Sequence, residues 1–423
     1  MKRALPPGPS GPALLQSLRY YRDPYGFLTA CRAKYGDWFT VKQIPCGTVV
    51  YVADPEAVRI IVGTPGHNRV AAINDFMAPV LGQGLLLLDG EAHAERRRWL
   101  APVLASERVI ELSDEIEALT EAEVATWPQA EPFAIRPRFE QLALRVILRA
   151  LFGASSEQRL AGLGPMLLQL KTHDIATGVL AALPLGIPKW RLAGAGARNA
   201  EAIDRLLYAE LAARRDGSIA NDGMLAVLLA AASGPTDKSV RDELMTLIFS
   251  GHETVATTLA WTFERVLRHP SVYARLRARR DDRYAEAVLL ETMRQRPPFT
   301  DFARELETPL ELGAWQLPAG TRVCPVIALL HMREDVFAQP EVFRPDRFLD
   351  GAAAPPAMYL PFGGGARRCI GAAFAMIEMQ VILRTVLARA ELRAPSAAPE
   401  RGVSNGVTVG PHKGGLVVMD RRC

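Results

Sequence analysis

The sequence contains few cysteines, and none of them is placed for pairing. The five cysteines are scattered along the chain as Cys31, Cys46, Cys324, Cys369 and Cys423, and no two form a C-x-x-C motif. An odd, dispersed set excludes a disulfide framework and is typical of reduced thiols in the cytosol. We therefore expect a cytoplasmic protein.

Long apolar runs and an excess of one charge are also missing. No stretch approaches the roughly 18 apolar residues of a membrane-spanning helix, and the first nine residues lack the apolar core of a signal peptide. Fifty Lys and Arg residues against 46 Asp and Glu residues give a formal net charge of +4, spread along the chain. We expect no membrane anchor and no nucleic-acid partner.

No internal repeat and no long low-complexity linker divides the chain. We therefore expect a single domain over residues 1–423, which is long enough to enclose a cofactor of roughly several hundred Å³.

Local patterns predict a mainly α fold with a minor β-sheet region. Short alternating segments at 35–41 and 48–52, and the run 310–326 around a Pro-Ala-Gly-Thr turn, predict strands. Residues 105–295 and 371–390 carry Ala, Leu, Arg and Glu at helical spacing.

One helical segment, over residues 239–268, is unusually long. Ser239 gives an N-cap signal, and His269-Pro270 ends the apolar pattern. A helix of about 30 residues is about 45 Å long, enough to cross a whole domain. Residues 250–254 at its centre read Ser-Gly-His-Glu-Thr, and a glycine, an acid and a hydroxyl are costly choices in a buried helix.

A glycine-rich loop with one cysteine precedes the last helical segment. Residues 361–371 read Pro-Phe-Gly-Gly-Gly-Ala-Arg-Arg-Cys-Ile-Gly. Cys369 thus stands at a helix start, where free N–H groups and the helix dipole favour a thiolate. The glycines let the backbone direct N–H groups at the sulfur, and Arg367 offers a fixed charge to a carboxylate. A single thiolate suits haem iron better than zinc, which takes about four ligands.

This loop resembles the haem-binding signature of the cytochrome P-450 family, F-x-x-G-x-R-x-C-x-G. Phe362, Gly365, Arg367, Cys369 and Gly371 occupy its five defined positions. The resemblance implies the cytochrome P-450 fold with a long central helix over the haem, heme b (iron protoporphyrin IX) as cofactor, and Cys369 as the axial iron ligand. It also implies that the other four residues help to bind the cofactor. A buried structural cysteine in a glycine-rich loop is the alternative.

The centre of the long helix is similar to the oxygen-activating motif of the same family, A-G-x-[DE]-T. Gly251, Glu253 and Thr254 match it, and Ser250 replaces the usual alanine. An acid–alcohol pair can order water and deliver the protons that O–O cleavage requires. The resemblance implies that Glu253 and Thr254 are catalytic, and a kinked core helix with a satisfied polar pair is the alternative. Ser250 would add a hydroxyl close to the haem face.

Basic residues are expected around the carboxylates of the cofactor. His93 and Arg97 stand four apart on one helical face. The resemblance implies that both of them, and Arg304, reach a haem propionate, since carboxylates in a largely apolar pocket need such donors. A solvated helix face is the alternative for a basic run taken alone.

Further motifs of the family are expected to be structural. Glu291 and Arg294 match its E-x-x-R motif, and residues 343–348 resemble the segment whose arginine, here Arg347, joins that pair. We expect the three side chains to lock the segment before the cysteine loop. E-x-x-R alone is a weak signal, because a solvated surface pair is the commoner explanation.

An apolar substrate is predicted from the resemblance and from local composition. Family members build the access channel from regions that here correspond to residues 76–81, 85–88 and 176–188, all of them apolar. The N-terminal proline motif and the cysteine loop resemble bacterial branches that act on fatty acids, alkanes or terpenoids. Core packing explains each segment nearly as well. Asp301, an acid where apolar side chains are common, either binds a substrate hydroxyl or amine or points to solvent.

Electrons are expected from separate proteins. No flavin- or iron–sulfur-binding domain follows Cys369 in the sequence, so a ferredoxin and its ferredoxin reductase are the expected donors. Arg96, Arg98 and Arg368 are expected to stay outside as a basic patch for an acidic electron donor.

Three functions are compatible with these motifs. The first is a haem-dependent monooxygenase that inserts one oxygen atom from O₂ into an apolar small molecule, by hydroxylation or epoxidation. The second is a peroxide-dependent haem-thiolate peroxygenase or isomerase, against which Glu253 and Thr254 argue because that chemistry needs no proton relay. The third is a non-catalytic haem or lipid binder.

Overall fold

The computed structural model describes residues 5–44, 46–64, 67, 69–70, 77–156, 158–169, 194–230, 236–278, 281–349, 354–355 and 357–423, with the backbone alone for 194–198. The α-helices are α1 Ala13–Arg22, α2 Pro24–Tyr35, α3 Pro55–Gly63, α4 Ala78–Leu81, α5 Gly90–Leu100, α6 Ser106–Glu111, α7 Ser113–Val124, α8 Ile135–Phe152, α9 Gly194–Arg215, α10 Gly223–Leu229, α11 Asp237–Val266, α12 Pro270–Ala278, α13 Asp282–Gln295, α14 Ile327–Leu330 and α15 Ala372–Arg389. The strands are β1 Trp38–Gln43, β2 Gly47–Val52, β3 Pro132–Ala134, β4 Arg304–Glu305, β5 Leu310–Leu312, β6 Trp315–Leu317, β7 Arg322–Pro325, β8 Ala390–Arg393, β9 Gly402–Asn405, β10 Thr408–Pro411 and β11 Leu416–Arg422.

The predicted class, mainly α with small sheets, is confirmed. In the described part of the chain, no helix is both long enough and apolar enough to span a membrane.

A four-stranded sheet contains the first strands of the chain. Its order is β1-β2-β7-β4, with β1 and β2 as an antiparallel hairpin and β2 parallel to β7. Because successive side chains point to opposite faces, the sheet separates two apolar clusters. Val50 and Val52 belong to one cluster, and Val49 and Tyr51 belong to the other. The far edge strand β4 carries Arg304.

The long helix α11 crosses the main apolar core. The Thr236 hydroxyl accepts a hydrogen bond from the Ser239 N–H at 3.2 Å and caps the helix. The helix therefore begins at Asp237, earlier than the predicted start, and Ser239 lies in its first turn rather than at its cap. Its 30 residues make it about 45 Å long, and most of them are buried.

Two contacts fix the chain that leads to the cysteine loop. Arg294 on α13 donates from Nη1 to the His331 carbonyl at 2.9 Å and from Nη2 to the Pro340 carbonyl at 2.6 Å. The Tyr359 hydroxyl donates to the Leu290 carbonyl at 2.7 Å. Helix α13 thereby holds both ends of the irregular segment that precedes the loop.

Candidate haem-binding and catalytic site

Cys369 stands in a tight loop that packs against α3. Its N–H donates to the Phe362 carbonyl at 2.8 Å, which closes the loop. Gly365 has a positive φ of 60°, and a Cβ there would lie 2.1 Å from the carbonyl oxygen of Val62. Glycine is therefore required at this position for the backbone itself.

Cys369 is an exposed residue whose thiol is largely surrounded by protein atoms. Burial raises the pKa of the thiol above its ordinary 9.0, whereas a hydrogen bond from the Gly371 N–H and the charges of Arg368 and Arg97 lower it. The residue nevertheless presents an exposed surface. A metal cation bound at this surface would favour the thiolate over the thiol. An exposed cysteine with an N–H donor aimed at its sulfur fits a thiolate ligand of haem iron.

Four cationic or polar donors, His93 and three arginines near it, come from three parts of the chain, and one of them, Arg97, also lies near the Cys369 thiol. Burial, and then the charges of Arg367, Arg97 and Arg304, lower the pKa of His93 from 6.5 to about 4, so its imidazole is neutral at pH 7. Such coupling requires that the four side chains lie close together. Burial and the Arg367 charge lower the pKa of Arg304 to about 10. Its Nε is buried without a hydrogen-bond partner among the described residues. The cluster fits a pair of carboxylates such as the haem propionates.

Asp89 is a further member of this cluster that the sequence did not suggest. Arg367 forms an ion pair with its Oδ1 and donates from Nη2 to the Leu88 carbonyl at 2.6 Å. The same carboxylate accepts the Val70 N–H at 3.0 Å. Asp89 precedes α5, so it ties the helix that carries His93 to the cysteine loop. The carboxylate that Arg367 meets in this structure is therefore one of the protein's own.

The centre of α11, a mostly buried helix, has an accessible strip formed by Ser250, Gly251 and Thr254. Ser250 is exposed, and Gly251 and Thr254 are half-buried. The Thr254 hydroxyl donates to the Ser250 carbonyl at 2.9 Å. A Cβ at Gly251 would lie 3.2 Å from Cγ1 of Ile147 on α8, so close packing of two helices is one reason for the glycine.

Glu253 engages other partners than its neighbour Thr254. Its carboxylate is buried and accepts hydrogen bonds from the Thr408 hydroxyl at 2.7 Å and from Nη2 of Arg136 at 3.3 Å. Thr254 bonds to the Ser250 carbonyl instead. The predicted acid and alcohol are thus adjacent in sequence but are oriented by different parts of the fold. Arg136 and Thr408 are more than a hundred residues away, and no local sequence signal connects them to Glu253.

The predicted basic patch is wrong for Arg96. That side chain lies largely inside, with Nη1 2.5 Å from the fully buried Glu243 on α11. Burial raises the pKa of Glu243 to about 7, although Arg96 and the Leu85 N–H lower it. Arg98 is exposed and pairs with Glu91 at 2.8 Å, and Arg368 is exposed. Helical periodicity alone does not show which of three consecutive arginines meets a buried acid.

The Asp301 carboxylate is held by three neighbouring side chains and does not point freely to solvent. Its Oδ2 accepts the Tyr20 hydroxyl at 2.7 Å and the Thr300 hydroxyl at 2.8 Å, and its Oδ1 accepts the Cys324 thiol at 3.1 Å. Burial raises the pKa of this carboxyl. The solvent-facing alternative is therefore wrong, because neighbouring donors hold the acid, and substrate binding by Asp301 stays a prediction. Phe299, two residues earlier, is 40% exposed.

The segments that suggested an access channel are only partly described. Residues 176–188 and residue 76 lie outside the described part of the chain. Met77, Leu81, Leu85 and Leu87 are buried in the main apolar core. Core packing therefore accounts for their apolar character.

Comparison with known proteins relates nearly the whole chain to one protein family. The family model described as cytochrome P-450 matches residues 6–417. The chain is 38% identical to cytochrome P-450 135B1 of Mycobacterium tuberculosis, over 98% of this chain and 91% of that protein. It is also 38% identical to cytochrome P-450 138 of the same species, over 99% of this chain and 97% of that protein.

Solved structures agree on the architecture. The crystal structure of CYP175A1 from Thermus thermophilus is 25% identical, with a TM-score of 0.79 over 98% of this chain and 100% of that chain. The haem domain of cytochrome P-450DA, at 20% identity, has a TM-score of 0.84 over 100% of this chain and 99% of that chain, and shows the fold alone.

Proposed function

The chain belongs to the cytochrome P-450 family and is a haem-dependent monooxygenase, and we propose that it oxidises an apolar small molecule such as a fatty acid, an alkane or a terpenoid. In this proposal one oxygen atom from O₂ enters the substrate by hydroxylation or epoxidation. Electrons come from a separate ferredoxin and its reductase. The observation that carries the proposal is the exposed Cys369 with Arg97 near its thiol, Arg97 being one of the cluster of His93, Arg97 and Arg304.

These residues would hold the cofactor between the cysteine loop and α11. Cys369 would supply the thiolate that binds the iron, and His93, Arg97 and Arg304 would neutralise the propionates, while Arg367 would keep its ion pair with Asp89. Haem with a thiolate ligand supplies the dioxygen-activating chemistry when it is bound. The unsatisfied Nε of Arg304 supports this assignment, because a buried donor without a partner is costly unless a ligand completes it.

Thr254 and Glu253 would divide the handling of protons. The Thr254 hydroxyl lies on the accessible strip of α11 and can exchange its bond to the Ser250 carbonyl for one to water or substrate. Glu253 is held by Arg136, whose side chain is 12% exposed and so leads toward the surface. A Glu253 carboxylate that takes a proton from water beside Arg136 and turns toward Thr254 would pass that proton inward through the Thr254 hydroxyl.

The proposal of an apolar substrate is supported by the exposed aromatic side chain of Phe299, which follows α13. The Asp301 carboxylate is occupied by Tyr20, Thr300 and Cys324, so the segment offers Phe299 rather than an acid. Pockets for small molecules are lined mainly by such apolar and aromatic side chains.

A ferredoxin donor is supported by exposed positive charge near the thiolate loop. Arg368, next to Cys369, is exposed, and an acidic partner would complement it. Arg98 on α5 is also exposed but already pairs with Glu91. A cytoplasmic location agrees with five cysteines that are all free thiols.

Titration and reconstitution test this proposal. The purified holoprotein is titrated with fatty acids, alkanes and terpenoids, and turnover is then measured with a ferredoxin and its reductase. A low- to high-spin shift and an oxygenated product from one apolar class are the expected results. Equal product with hydrogen peroxide and no ferredoxin would favour the peroxygenase, and no shift or product with any compound would contradict the proposal.

A further inference from the structure

Helix α1 is inverted with respect to an ordinary surface helix. Its buried side chains are the polar Gln16 and Ser17, at 2% and 3% exposure. Leu14, Leu15 and Leu18 face outward and are 51%, 43% and 58% exposed. A helix that packs on a protein normally buries its apolar face and exposes its polar one.

The polar face of α1 is buried because it accepts hydrogen bonds from the chain along strand β1. Strand β1 is an edge strand, and the chain along it presents N–H groups that need partners. The Gln16 Oε1 accepts the Lys42 N–H at 3.0 Å, and the Ser17 hydroxyl oxygen accepts the Ile44 N–H at 2.9 Å. Gln16 also donates to the carbonyls of Pro9 and Gly11. These bonds fix the rotation of α1 about its axis.

The three outward leucines take no part in these hydrogen bonds, and each leaves about half of its surface exposed. Leu14 and Leu18 are one turn apart and Leu15 lies beside them, so they form a continuous patch. A contiguous exposed apolar patch, unlike a single exposed leucine, marks an interaction surface.

Positive charge continues the same face. Arg19 and Arg22 are exposed in the last two turns of α1, one turn beyond Leu15 and Leu18, and form no ion pair with a described residue. Arg401, which is exposed, donates to the Arg22 carbonyl at 3.3 Å and adds to this charge at the end of the helix. Asp23, which follows α1 in the chain, accepts the Gly26 N–H as the cap of α2.

We propose that α1 is a peripheral docking surface for an anionic lipid bilayer. Leu14, Leu15 and Leu18 enter the boundary between headgroups and acyl chains, while Arg19 and Arg22 contact the negative headgroups. Leucines and basic side chains side by side on a short helix match this environment, where the helix lies in the interface plane without spanning the bilayer. The contact needs neither the cofactor nor a substrate and so stands apart from the proposed function.

Vesicle flotation of the holoprotein tests the surface. We expect binding to vesicles of phosphatidylcholine with phosphatidylglycerol and at least about tenfold weaker binding to phosphatidylcholine alone. The double variant Leu14→Gln, Leu18→Gln should lose at least about tenfold in affinity for the anionic vesicles. The double variant Arg19→Gln, Arg22→Gln should lose roughly fivefold per arginine, and less at high salt.

A matched variant controls for general hydrophobicity. Ile110 and Val342 are 60% and 49% exposed and lie outside α1, so Ile110→Gln with Val342→Gln removes similar apolar surface and should bind as the parent does. Two results would overturn the proposal. One is an equal loss of vesicle binding in the Leu14→Gln, Leu18→Gln variant and in the Ile110→Gln, Val342→Gln control. The other is no binding of the parent to anionic vesicles. A dimer in sedimentation velocity that Leu14→Gln, Leu18→Gln dissociates, without vesicle binding, would make the face a protein interface instead. An unchanged haem spectrum shows that each variant is folded.

Discussion

Glu291 and Arg294 form a bidentate ion pair from which solvent is completely excluded. Nε of Arg294 lies 2.7 Å from Oε2 of Glu291, and Nη2 lies 2.9 Å from Oε1. Arg347 adds a third contact at 3.1 Å, and the Arg344 N–H donates to Glu291 Oε1 at 2.8 Å. Since Arg294 also binds the carbonyls of His331 and Pro340, the pair ties α13 to the segment before the cysteine loop, as predicted.

Replacing Glu291 should therefore prevent assembly of the haem site. Glu291→Ala leaves Arg294 buried without its anion, which costs about 3–5 kcal/mol. We expect little holoprotein and a correspondingly lower free energy of unfolding in urea. The control is Glu286→Ala on the exposed side of the same helix, which should change stability by less than about 0.5 kcal/mol. Normal haem loading of Glu291→Ala would contradict the structural role.

Removing the Thr254 hydroxyl should impair proton delivery and leave the haem in place. In Thr254→Ala we expect normal haem content, product formation lower by roughly a hundredfold, and electrons diverted to hydrogen peroxide. The measurement is the ratio of product to electrons consumed. Thr262→Ala serves as control, since Thr262 makes the same type of bond, to the Thr258 carbonyl at 2.8 Å, two turns along α11. Unchanged coupling in Thr254→Ala would count against the relay.

The buried pair of Glu243 and Arg96 should make stability depend on pH. The pKa of Glu243 is about 7 in the folded protein and 4.5 ordinarily, so between these values the folded chain holds a proton that the unfolded chain has released. The free energy of unfolding should then fall as pH rises from 4.5 to 7, by on the order of 3 kcal/mol. Glu243→Gln should abolish this part of the pH dependence.

Urea unfolding of the holoprotein at several pH values measures the effect as the difference between parent and variant. Glu91 and Arg98 form an exposed pair that also involves α5, at 2.8 Å. Glu91→Gln should leave the pH dependence as it is in the parent, because exposed pairs contribute little. Parallel pH curves for the parent and Glu243→Gln would show that Glu243 does not titrate in this range.

Local patterns predicted those parts of the fold that local chemistry determines. The cysteine loop, the strands around residues 38–52 and the long helix α11 all depend on neighbouring glycines, alternation or helical spacing. The start of α11 was placed too late because Thr236, and not Ser239, provides the capping oxygen. Both residues carry a suitable hydroxyl, so composition does not distinguish them.

The pairs that the sequence did not reveal join distant parts of the chain. Arg367 meets Asp89, and Glu253 meets Thr408, over separations of 278 and 155 residues. For Asp301 the sequence suggests a substrate contact or solvent, yet one of its three partners, Tyr20, is 281 residues away. Such partners are decided by tertiary packing and leave no periodic signal in the sequence.

The assignment of Cys369 as the haem ligand is tested by the carbon monoxide difference spectrum of the reduced protein. The parent should show its Soret band at the position of thiolate-ligated haem, and so should Cys423→Ser, which removes another exposed thiol. Cys369→Ser should lose that band. A parent spectrum typical of histidine- or thiol-ligated haem, or an unchanged band in Cys369→Ser, would contradict the assignment.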